Sequence, residues 1–291
     1  METRTPDATG LLLVDKPPGV TSHDVVAIVR RVLGSRRIGH TGTLDPFATG
    51  LLVILAGRGT RLIPYIDGEP KVYEATIRFG AETDTDDVTG SIAREAAPPS
   101  ESALVDAVAQ LTGVIEQMPP AYSAKKVAGT RAYSAARRGV ALELRSSRVT
   151  IHRWELGRLT NDELTARITC SGGTYIRALA RDLGRLTNSA AHLSALRRVA
   201  SGAFAVDDAA TLDQLRTGDF TVRPLRDAVP SLPTRLLANA ELVRVLHGNA
   251  IEADSPFVSG AVALVDDTQT LIAVAEREGS ELRPKLVLRD A

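Results

Sequence analysis

The apolar positions of the first fifty-six residues predict a strand, a helix, a long segment without period and a second strand. The stretch "LLLVDKPPG" is a short apolar run ended by two prolines and a glycine, which is typical of a buried strand before a turn. In "VVAIVRRVL" the apolar residues recur at helical intervals, and Thr21 and Asp24 precede them in capping-box spacing, so we expect a helix over about 22–33. Residues 34–50 follow neither period and are predicted as a loop, anchored at its end by the buried strand "LLVILAG". A loop this long in a compact domain is usually functional or disordered, and the anchor favours function.

Two later segments alternate between apolar and polar residues. "KVYEATIRFG" predicts a half-buried strand with Tyr73 on its apolar face. "ELTARITC" alternates in the same way, and a Ser-Gly-Gly turn leads from it into the helix "TYIRALARDLGRL", which we expect Thr174 to cap. Another helix is predicted near 101–112.

The segment "TDTDDVTG" begins like a calcium-binding loop, with acidic residues at positions 1, 3 and 12 of such a loop. However, Val88 occupies position 5, and Gly90 falls one place late. An acidic turn is therefore the better interpretation.

After about residue 205 the motifs stop, and "RPLRDAVPSLPTR" is typical of a linker. The tail that follows it contains three short strand patterns separated by turn residues. These patterns predict a small C-terminal β domain of about 60 residues.

The composition is that of a globular protein: 44% of the 291 residues are hydrophobic and 24% are charged. No apolar run approaches the roughly 18 to 20 residues that a membrane span needs, and the start of the chain has no secretory or transit pattern. We therefore expect a cytoplasmic protein that does not enter membranes. Cys170 is the single cysteine, which excludes an intrachain disulfide and fits a reducing compartment.

The net charge is zero, but the charges are segregated along the chain. Residues 16–61 contain seven Lys or Arg against two acids, residues 125–153 eight against one, and residues 171–200 five against one. Residues 74–116 and 201–291 are acidic, with two basic against nine acidic and nine against fourteen. A polyanion could thus bind one face only, although basic blocks can equally be ordinary solvated helix faces.

Several common catalytic patterns are absent from the sequence. The five histidines show no HxxxH or HxH pairing, which argues against a catalytic metal. Neither GxxxxGK[ST] nor a strand-linked GxGxxG is present, so a nucleotide cofactor has no obvious binding loop. The strand pattern places Cys170 toward the core, where a nucleophilic thiol is not expected. We therefore predict no cofactor.

What remains is Asp45, a lone carboxylate in "HTGTLDPFATGLL". Pro46 biases its backbone toward extended geometry, which could hold the side chain at a fixed angle. The simpler alternative is that Asp45 only nucleates an Asp-Pro turn.

Arg177 and Tyr73 are the other candidates for chemistry. Arg177 lies in the first turn of its predicted helix, where the helix dipole disfavours a cation by roughly 0.3 to 1 kcal/mol. An arginine there could pair with a carboxylate in a cleft or bind a phosphate, or it could bend into solvent. Tyr73 could be an ordinary core tyrosine.

Taken together, these segments resemble the TruB-type tRNA pseudouridine synthases. The resemblance rests on "LLLVDKPPGVTSHDVV", "RRIGHTGTLDPFATGLL", "KVYEATIRFGAETDTDDVTG", "QMPPAYSAKKVAGTRAYSAARRG" and "CSGGTYIRALARDLG" with "LRRVASGAF". They cover most of residues 11–205 in the family's order. "GHTGTLDP" combined with "PPAYSAKK" is the most specific part of the match.

The resemblance implies an α+β fold: a mixed, largely antiparallel sheet with flanking helices and a central catalytic cleft, plus a small C-terminal PUA-like β domain. It implies a catalytic domain over 1–230, with an RNA-binding insertion at about 117–150, and the PUA-like domain over 231–291. The match of this tail to PUA domains is weak, and its net acidity puts direct RNA binding by the tail in doubt.

The family's reaction is the isomerisation of uridine 55 in the TΨC loop of tRNA. The resemblance implies that Asp45 is the essential aspartate, that Arg177 forms a salt bridge with it, and that Tyr73 stacks on the flipped uracil. By the same resemblance, further positions contribute to substrate binding; they are His40, Lys16, Tyr175 and Leu196, with Lys125 and Lys126 in a basic block expected to contact tRNA phosphates.

The predicted partner is the T arm of tRNA, bound by a monomer without an obligate protein partner. One alternative is an RNA-guided relative that modifies ribosomal RNA, but such relatives usually have basic tails and a fuller PUA domain. A second alternative is a non-catalytic tRNA-binding or folding factor, against which Asp45 together with Arg177 argues. A hydrolytic glycosidase lacks support because no second carboxylate accompanies Asp45.

Overall fold

The computed structural model describes residues 8–122, 126–127, 130–131, 145–253 and 260–288. The chain divides into two compact units. Residues 1–44, 52–68 and 203–291 form the first unit, and residues 45–51 and 69–202 form the second.

Strands and helices alternate along the chain in the mixed order expected of an α+β fold. The strands are β1 (Gly10–Lys16), β2 (Ile38–Thr41), β3 (Thr49–Ala56), β4 (Lys71–Phe79), β5 (Ala81–Thr83), β6 (Ile92–Glu95), β7 (Gly113–Gln117), β8 (Lys126–Val127), β9 (Thr130–Arg131), β10 (Ser147–Thr160), β11 (Glu163–Cys170), β12 (Ala191–Ser201), β13 (Phe204–Ala205), β14 (Ala210–Thr211), β15 (Thr234–Leu236), β16 (Ile251–Glu252), β17 (Ala261–Val265), β18 (Leu271–Glu278) and β19 (Glu281–Val287). The α-helices are α1 (Ser22–Leu33), α2 (Glu101–Gln110), α3 (Ile176–Leu186), α4 (Leu212–Thr217) and α5 (Asn239–Leu246). Short 3-10 helices span Gly57–Tyr65, Val206–Asp208 and Leu225–Ala228.

In the first unit, helix α1 packs its apolar face on strands β1 and β3. The hydroxyl of Thr21 accepts the Asp24 N–H at 3.1 Å, and the Asp24 carboxylate accepts the Thr21 N–H at 2.8 Å. This is the predicted capping box, and the helix bounds match those expected from the sequence. Val25, Val26 and Val29 of α1 are buried in a core that α4 completes.

The prediction of an uninterrupted loop over 34–50 is wrong in part. Residues Ile38–Thr41 form β2, which pairs antiparallel with β3, Ile38 facing Ala56 and Thr41 facing Val53. "IGHT" lacks alternation, so its strand conformation comes from hydrogen bonding to the buried β3 and not from its own side-chain pattern. The segment without regular structure is therefore shorter than expected, and it contains Asp45.

The C-terminal residues of the first unit form a separate five-stranded sheet in the order β15–β17–β18–β19–β16. Its inner side packs against α5 around a core that includes Val262, Leu264 and Ile272. The three strands predicted in the tail correspond to β17, β18 and β19, so the small C-terminal sheet is confirmed.

The interpretation of 223–235 as a linker is wrong in part. It contains the 3-10 helix Leu225–Ala228 and the beginning of β15, and Val229 is fully buried. The Arg226 guanidinium donates to the carbonyls of Val229 and Leu232 at 2.6 and 3.2 Å, which fixes the segment. A run of polar and proline residues carries no sign of these carbonyl contacts.

The second unit is built on the antiparallel strand order β12–β4–β11–β10–β7. The first residues of β3 join its edge in parallel, with Thr49 opposite Arg197 and Gly50 opposite Arg198. Strands β10 and β11 are joined by Asn161 and Asp162, which both have positive φ (50° and 65°), the backbone that a two-residue hairpin turn requires. Helices α2 and α3 belong to the same unit.

The alternating segments of the second unit bury the faces that their sequences predict. Tyr73, Ala75, Ile77 and Phe79 of β4 are all buried, whereas Glu74 and Arg78 are exposed. Cys170 at the end of β11 is fully buried, as the strand pattern predicted, and burial raises the pKa of its thiol to about 11. The fold as a whole is the predicted mixed and largely antiparallel α+β architecture.

Candidate active site

Asp45 lies in a tight turn that is fixed at both ends. The N–H of Leu44, the preceding residue, donates to the Ser22 hydroxyl at 2.9 Å, and this hydroxyl donates to the Leu44 carbonyl at 3.2 Å. The Ala48 N–H donates to the Asp45 carbonyl at 3.1 Å, which closes a turn around Pro46. The backbone of Asp45 thus does form an Asp-Pro turn, and its side chain, 38% exposed, has a further role.

That role is a bidentate ion pair with Arg177 of helix α3. Arg177 Nε lies 2.9 Å from Asp45 Oδ2, and Arg177 Nη2 lies 3.1 Å from Asp45 Oδ1. The two parallel hydrogen bonds fix the plane of the carboxylate, whose oxygens can each accept more than one hydrogen bond. The structure therefore brings together the two residues that the sequence analysis paired.

Arg177 is itself buried and held from two other segments. Its Nη1 donates to the Thr85 carbonyl and its Nη2 to the Tyr122 carbonyl, both at 2.8 Å. The Asp87 carboxylate lies 3.5 Å from Nη1. A guanidinium with its donors occupied in this way cannot turn into solvent, so that alternative is excluded.

The acidic turn between β5 and β6 supplies the contacts of Arg177 with Thr85 and Asp87. Asp87 is oriented by the Thr89 N–H and the Thr85 hydroxyl, each 2.9 Å from its Oδ1, which leaves Oδ2 to face Arg177. The interpretation of "TDTDDVTG" as a turn is correct, but no local pattern indicates that the turn faces helix α3.

A second buried pair lies one helical turn further along α3. Arg181 Nη1 donates to Asp86 Oδ2 at 2.9 Å, and its Nη2 donates to the Met118 carbonyl at 2.9 Å. Burial of the Asp86 carboxyl outweighs the attraction of Arg181 and raises the pKa of Asp86 to about 6. Arg177 and Arg181 are four residues apart and therefore share one helix face.

The beginning of helix α3 differs from the prediction. The N-cap residue is Tyr175, and Thr174 does not cap the helix; its hydroxyl donates to the Ser171 carbonyl at 2.9 Å instead. The buried Gln117 side chain instead fixes the backbone of the N-cap residue, accepting from the Tyr175 N–H at 2.8 Å and donating to the Tyr175 carbonyl at 3.1 Å. A partner 58 residues away cannot be recognised from a local capping pattern.

Tyr73 lies in the same unit, on the buried face of β4. Its side chain is 7% exposed, and burial raises the pKa of its hydroxyl. Arg198 opposes this shift through its charge and a hydrogen bond to the hydroxyl, whereas the negative charge of Asp45 adds to it. Tyr73 thus interacts electrostatically with both Arg198 and Asp45.

The remaining predicted site residues are found in several places. Leu196 lies on β12 opposite Ala75 of β4 and is 7% exposed, and Tyr175 is half-buried at the beginning of α3. Lys125 and the side chain of Lys126 lie outside the described residues.

Lys16 and His40 belong to the first unit. Lys16 is fully buried, and its Nζ donates to the carbonyls of Pro17 and Val20 at 2.9 and 2.8 Å. These bonds fix the turn that follows β1. His40 is half-buried on β2, with its ring edge-on to that of His23 at a centroid distance of 5.8 Å.

Within the described ranges, no three His, Cys, Asp or Glu side chains are grouped so that they could hold a metal ion. In the same part of the chain, no helix has the length and apolar character that a membrane crossing requires.

Sequence reasoning missed Asp86, Asp87, Gln117, Arg181 and Arg198 as parts of this site. For Arg181 a signal exists, because it repeats Arg177 at a spacing of four and therefore lies on the same helix face. The two aspartates and Gln117 contact α3 from distant segments, so no local pattern identifies them.

The mixed, largely antiparallel sheet, the Arg177–Asp45 ion pair and the small C-terminal sheet define a pseudouridine synthase fold. A chain of a solved Cbf5–Nop10–Gar1 complex shares this fold, with a TM-score of 0.72 at 23% identity over 97% of this chain and 85% of that chain. The model for the N-terminal domain of TruB family pseudouridylate synthases matches residues 30–176, and that for the tRNA pseudouridylate synthase B C-terminal domain matches residues 177–229.

The chain belongs to the TruB family of pseudouridylate synthases. It is 46% identical to tRNA pseudouridine synthase B of Thermobifida fusca over 96% of this chain and 98% of that protein. It is 40% identical to the tRNA pseudouridine synthase B of an Arthrobacter species over 96% of each chain. The resemblance stated from the sequence motifs is thereby confirmed.

Proposed function

We propose that this protein converts uridine 55 in the TΨC loop of tRNA to pseudouridine, with Asp45 as the essential residue. The observation that carries the proposal is the bidentate Arg177–Asp45 pair, because it fixes the orientation of a carboxylate that remains 38% exposed in a tight turn. The relatives that match nearly the whole chain are named tRNA pseudouridine synthase B, which supports tRNA as the substrate.

The proposed reaction is an isomerisation. The N1–C1′ glycosidic bond breaks, the uracil rotates within the site, and a C5–C1′ bond forms. The C5 proton is lost and N1 gains a proton, so no water, metal or redox partner is consumed. Three first steps are compatible with a carboxylate in this role: addition to C1′, addition to C6, and removal of the ribose 2′ hydrogen.

A single exposed carboxylate is sufficient for this chemistry. A hydrolase needs a second carboxylate to activate water or to protonate the leaving group. The nearest acidic turn does not provide one, because Asp87 is 6% exposed and faces Arg177, and Asp86 is paired with Arg181. An isomerase recaptures its departing base and has no use for a second exposed carboxylate.

A base in a folded RNA loop must be extruded before a protein can act on it. An unstacked base needs an aromatic surface, and Tyr73, on a buried strand face and sensitive to the charge of Asp45, is the residue we assign to it. Tyr175, at the beginning of the helix that carries Arg177, and Leu196, on β12 beside β4, are proposed to line the same pocket.

We also assign His40 to a position near the flipped base. Lys16 is assigned to the support of the turn that follows β1. Lys125 and Lys126 are assigned to the tRNA backbone. We further propose a catalytic domain over 1–230 and a PUA-like domain over 231–291, and that a monomer acts in the cytoplasm without an obligate protein partner or a cofactor.

The assay for this proposal is tritium release from tRNA transcript labelled at C5 of uridine, since C5 loses its hydrogen when it bonds to C1′. We expect the purified protein alone to release one equivalent from the wild-type transcript and none from a transcript with cytidine at position 55. Asp213→Asn, which changes an exposed aspartate in the same way, serves as the matched control and should release as much tritium as the wild type. Release that persists with the cytidine transcript, or that requires a guide RNA, contradicts the proposal.

The tRNA interface is tested by salt dependence. Replacing Lys125, Lys126, Arg137 and Arg138 by Ala should lower the slope of log affinity against log salt by about 0.7 to 0.9 for each phosphate that the protein no longer neutralises. An unchanged slope would remove this block from the RNA interface.

A further inference from the structure

Arg198 is a permanently charged side chain that is almost completely buried. It is 1% exposed and is the largest of the fully buried side chains among the described residues. A guanidinium keeps its charge even in an apolar environment, so a position this deep requires polar partners at short distance. The partners of Arg198 therefore indicate why the charge is there.

Two of those partners lie on different strands. Arg198 Nε donates to the Leu51 carbonyl at 2.8 Å, on the strand that leaves the Asp45 turn. On the other side, the register places Arg198 directly opposite Tyr73 of β4, and Arg198 donates a hydrogen bond to the tyrosine hydroxyl. One side chain thus connects the backbone that follows Asp45 with the hydroxyl of Tyr73.

The backbone around Arg198 is built for this close approach. Gly50, its parallel neighbour on β3, has a φ of 99°, and a Cβ at Gly50 would lie 2.2 Å from the Arg198 carbonyl oxygen. Only a residue without a side chain fits there. This close approach holds β12 against β3, the strand that leaves the Asp45 turn. The Arg198 guanidinium lies between Leu51 of β3 and Tyr73 of β4.

We propose that Arg198 is a positioning residue that fixes the Tyr73 hydroxyl relative to the Asp45 turn. The inference rests on the proposed function, because Tyr73 matters to the reaction only if it contacts the uracil. Arg198 itself does not contact the substrate. It acts by keeping the tyrosine ring in one orientation while the nucleotide enters and the base rotates.

If Arg198 were purely structural, it would stabilise the fold, and its replacement would lower the turnover rate equally with or without the Tyr73 hydroxyl. The two roles therefore differ in a double-mutant cycle that combines Arg198→Met with Tyr73→Phe. The readouts are the single-turnover rate on tRNA, the tRNA dissociation constant and the thermal midpoint. Arg216→Met, an exposed arginine of α4, is the matched control.

We expect Arg198→Met to lower the single-turnover rate about tenfold or more while the tRNA dissociation constant stays within about twofold. In the Tyr73→Phe background the same substitution should lower the rate less than about twofold, because the hydroxyl through which it acts is absent. Arg198→Lys, which keeps the charge, should recover part of the rate. Arg216→Met should leave all three quantities unchanged.

Equal losses of rate in both backgrounds would overturn the inference and leave Arg198 with a structural role. If Arg198→Met does not fold, the cycle is measured with Arg198→Lys. If Tyr73→Phe has no measurable rate, Arg198→Lys decides: a lowered rate at an unchanged thermal midpoint supports the inference, and a rate that falls only together with the midpoint overturns it. Failure of the wild type to modify tRNA would instead refute the proposed function.

Discussion

Replacing Arg177 by Met removes a buried cation from the centre of a polar network. The guanidinium makes four hydrogen bonds, two to Asp45 and one each to the carbonyls of Thr85 and Tyr122, and Asp87 lies 3.5 Å away. Met has a similar volume and no donor, so the substitution isolates the loss of these interactions.

The magnitude follows from what is left behind. Asp87, 6% exposed, loses its buried cation, and removal of one partner from a buried pair costs about 3–5 kcal/mol. The Asp45 side chain is 38% exposed, and solvent limits its share to about 0–1 kcal/mol. We therefore expect Arg177→Met to lower the free energy of unfolding by about 3–5 kcal/mol and Asp45→Asn by less than about 1 kcal/mol.

Urea denaturation at pH 7 measures both values. Arg177→Lys is the matched control: it keeps the charge but cannot reproduce the bidentate geometry, so we expect an intermediate loss of about 1–3 kcal/mol. Two results would refute this reasoning. One is a free energy of unfolding for Arg177→Met within about 0.5 kcal/mol of the wild-type value, and the other is a larger loss for Asp45→Asn than for Arg177→Met. Either would show that the hydrogen bonds of Arg177 do not stabilise the site.

Three further predictions concern residues around this site. Because folded Asp86 keeps its proton up to about pH 6 and the unfolded carboxyl loses it near its ordinary pKa of 3.8, the free energy of unfolding should fall as the pH rises between these values. Urea denaturation at pH 4 and pH 7 should show Asp86→Asn gaining roughly 2 kcal/mol on the wild type over that interval, and a constant difference would contradict the raised pKa. Gly50→Ala should lower the thermal midpoint strongly, because its Cβ would meet the Arg198 backbone at 2.2 Å, and an unchanged midpoint would refute that close approach. Cys170 should react with a thiol reagent only upon unfolding, since it is fully buried with a raised pKa; rapid labelling of the folded protein would contradict its placement.

The regular elements could be predicted because their signals are local. The capping box at Thr21 and Asp24 and the alternation around Tyr73 involve neighbouring residues, and the structure confirms both. Strand β2 could not be predicted, because its residues become a strand only by pairing with β3. The helix cap at Tyr175 was missed for the same reason, since its partner Gln117 comes from another strand.

Some residues of the candidate site could likewise be predicted from local signals, whereas others could not. Arg177 stood out because it places a cation in the first turn of a helix, against the local electrostatic preference, and the structure supplies its partner. The acidic turn was recognised as a turn only, because the burial of Asp86 and Asp87 depends on the packing of helix α3 against it. Arg198 carried no signal, since an arginine in a strand is ordinarily exposed.

The most direct test of the proposed activity is a site-resolved pseudouridine map of unmodified tRNA after incubation with the wild type and with Asp45→Asn. We predict pseudouridine at position 55 alone with the wild type. With Asp45→Asn we predict none, while tRNA binding is largely retained because the side chain keeps its shape. Modification at position 55 by Asp45→Asn at the wild-type rate, or modification by the wild type only at other positions, would contradict the role assigned to Asp45 or the assigned target.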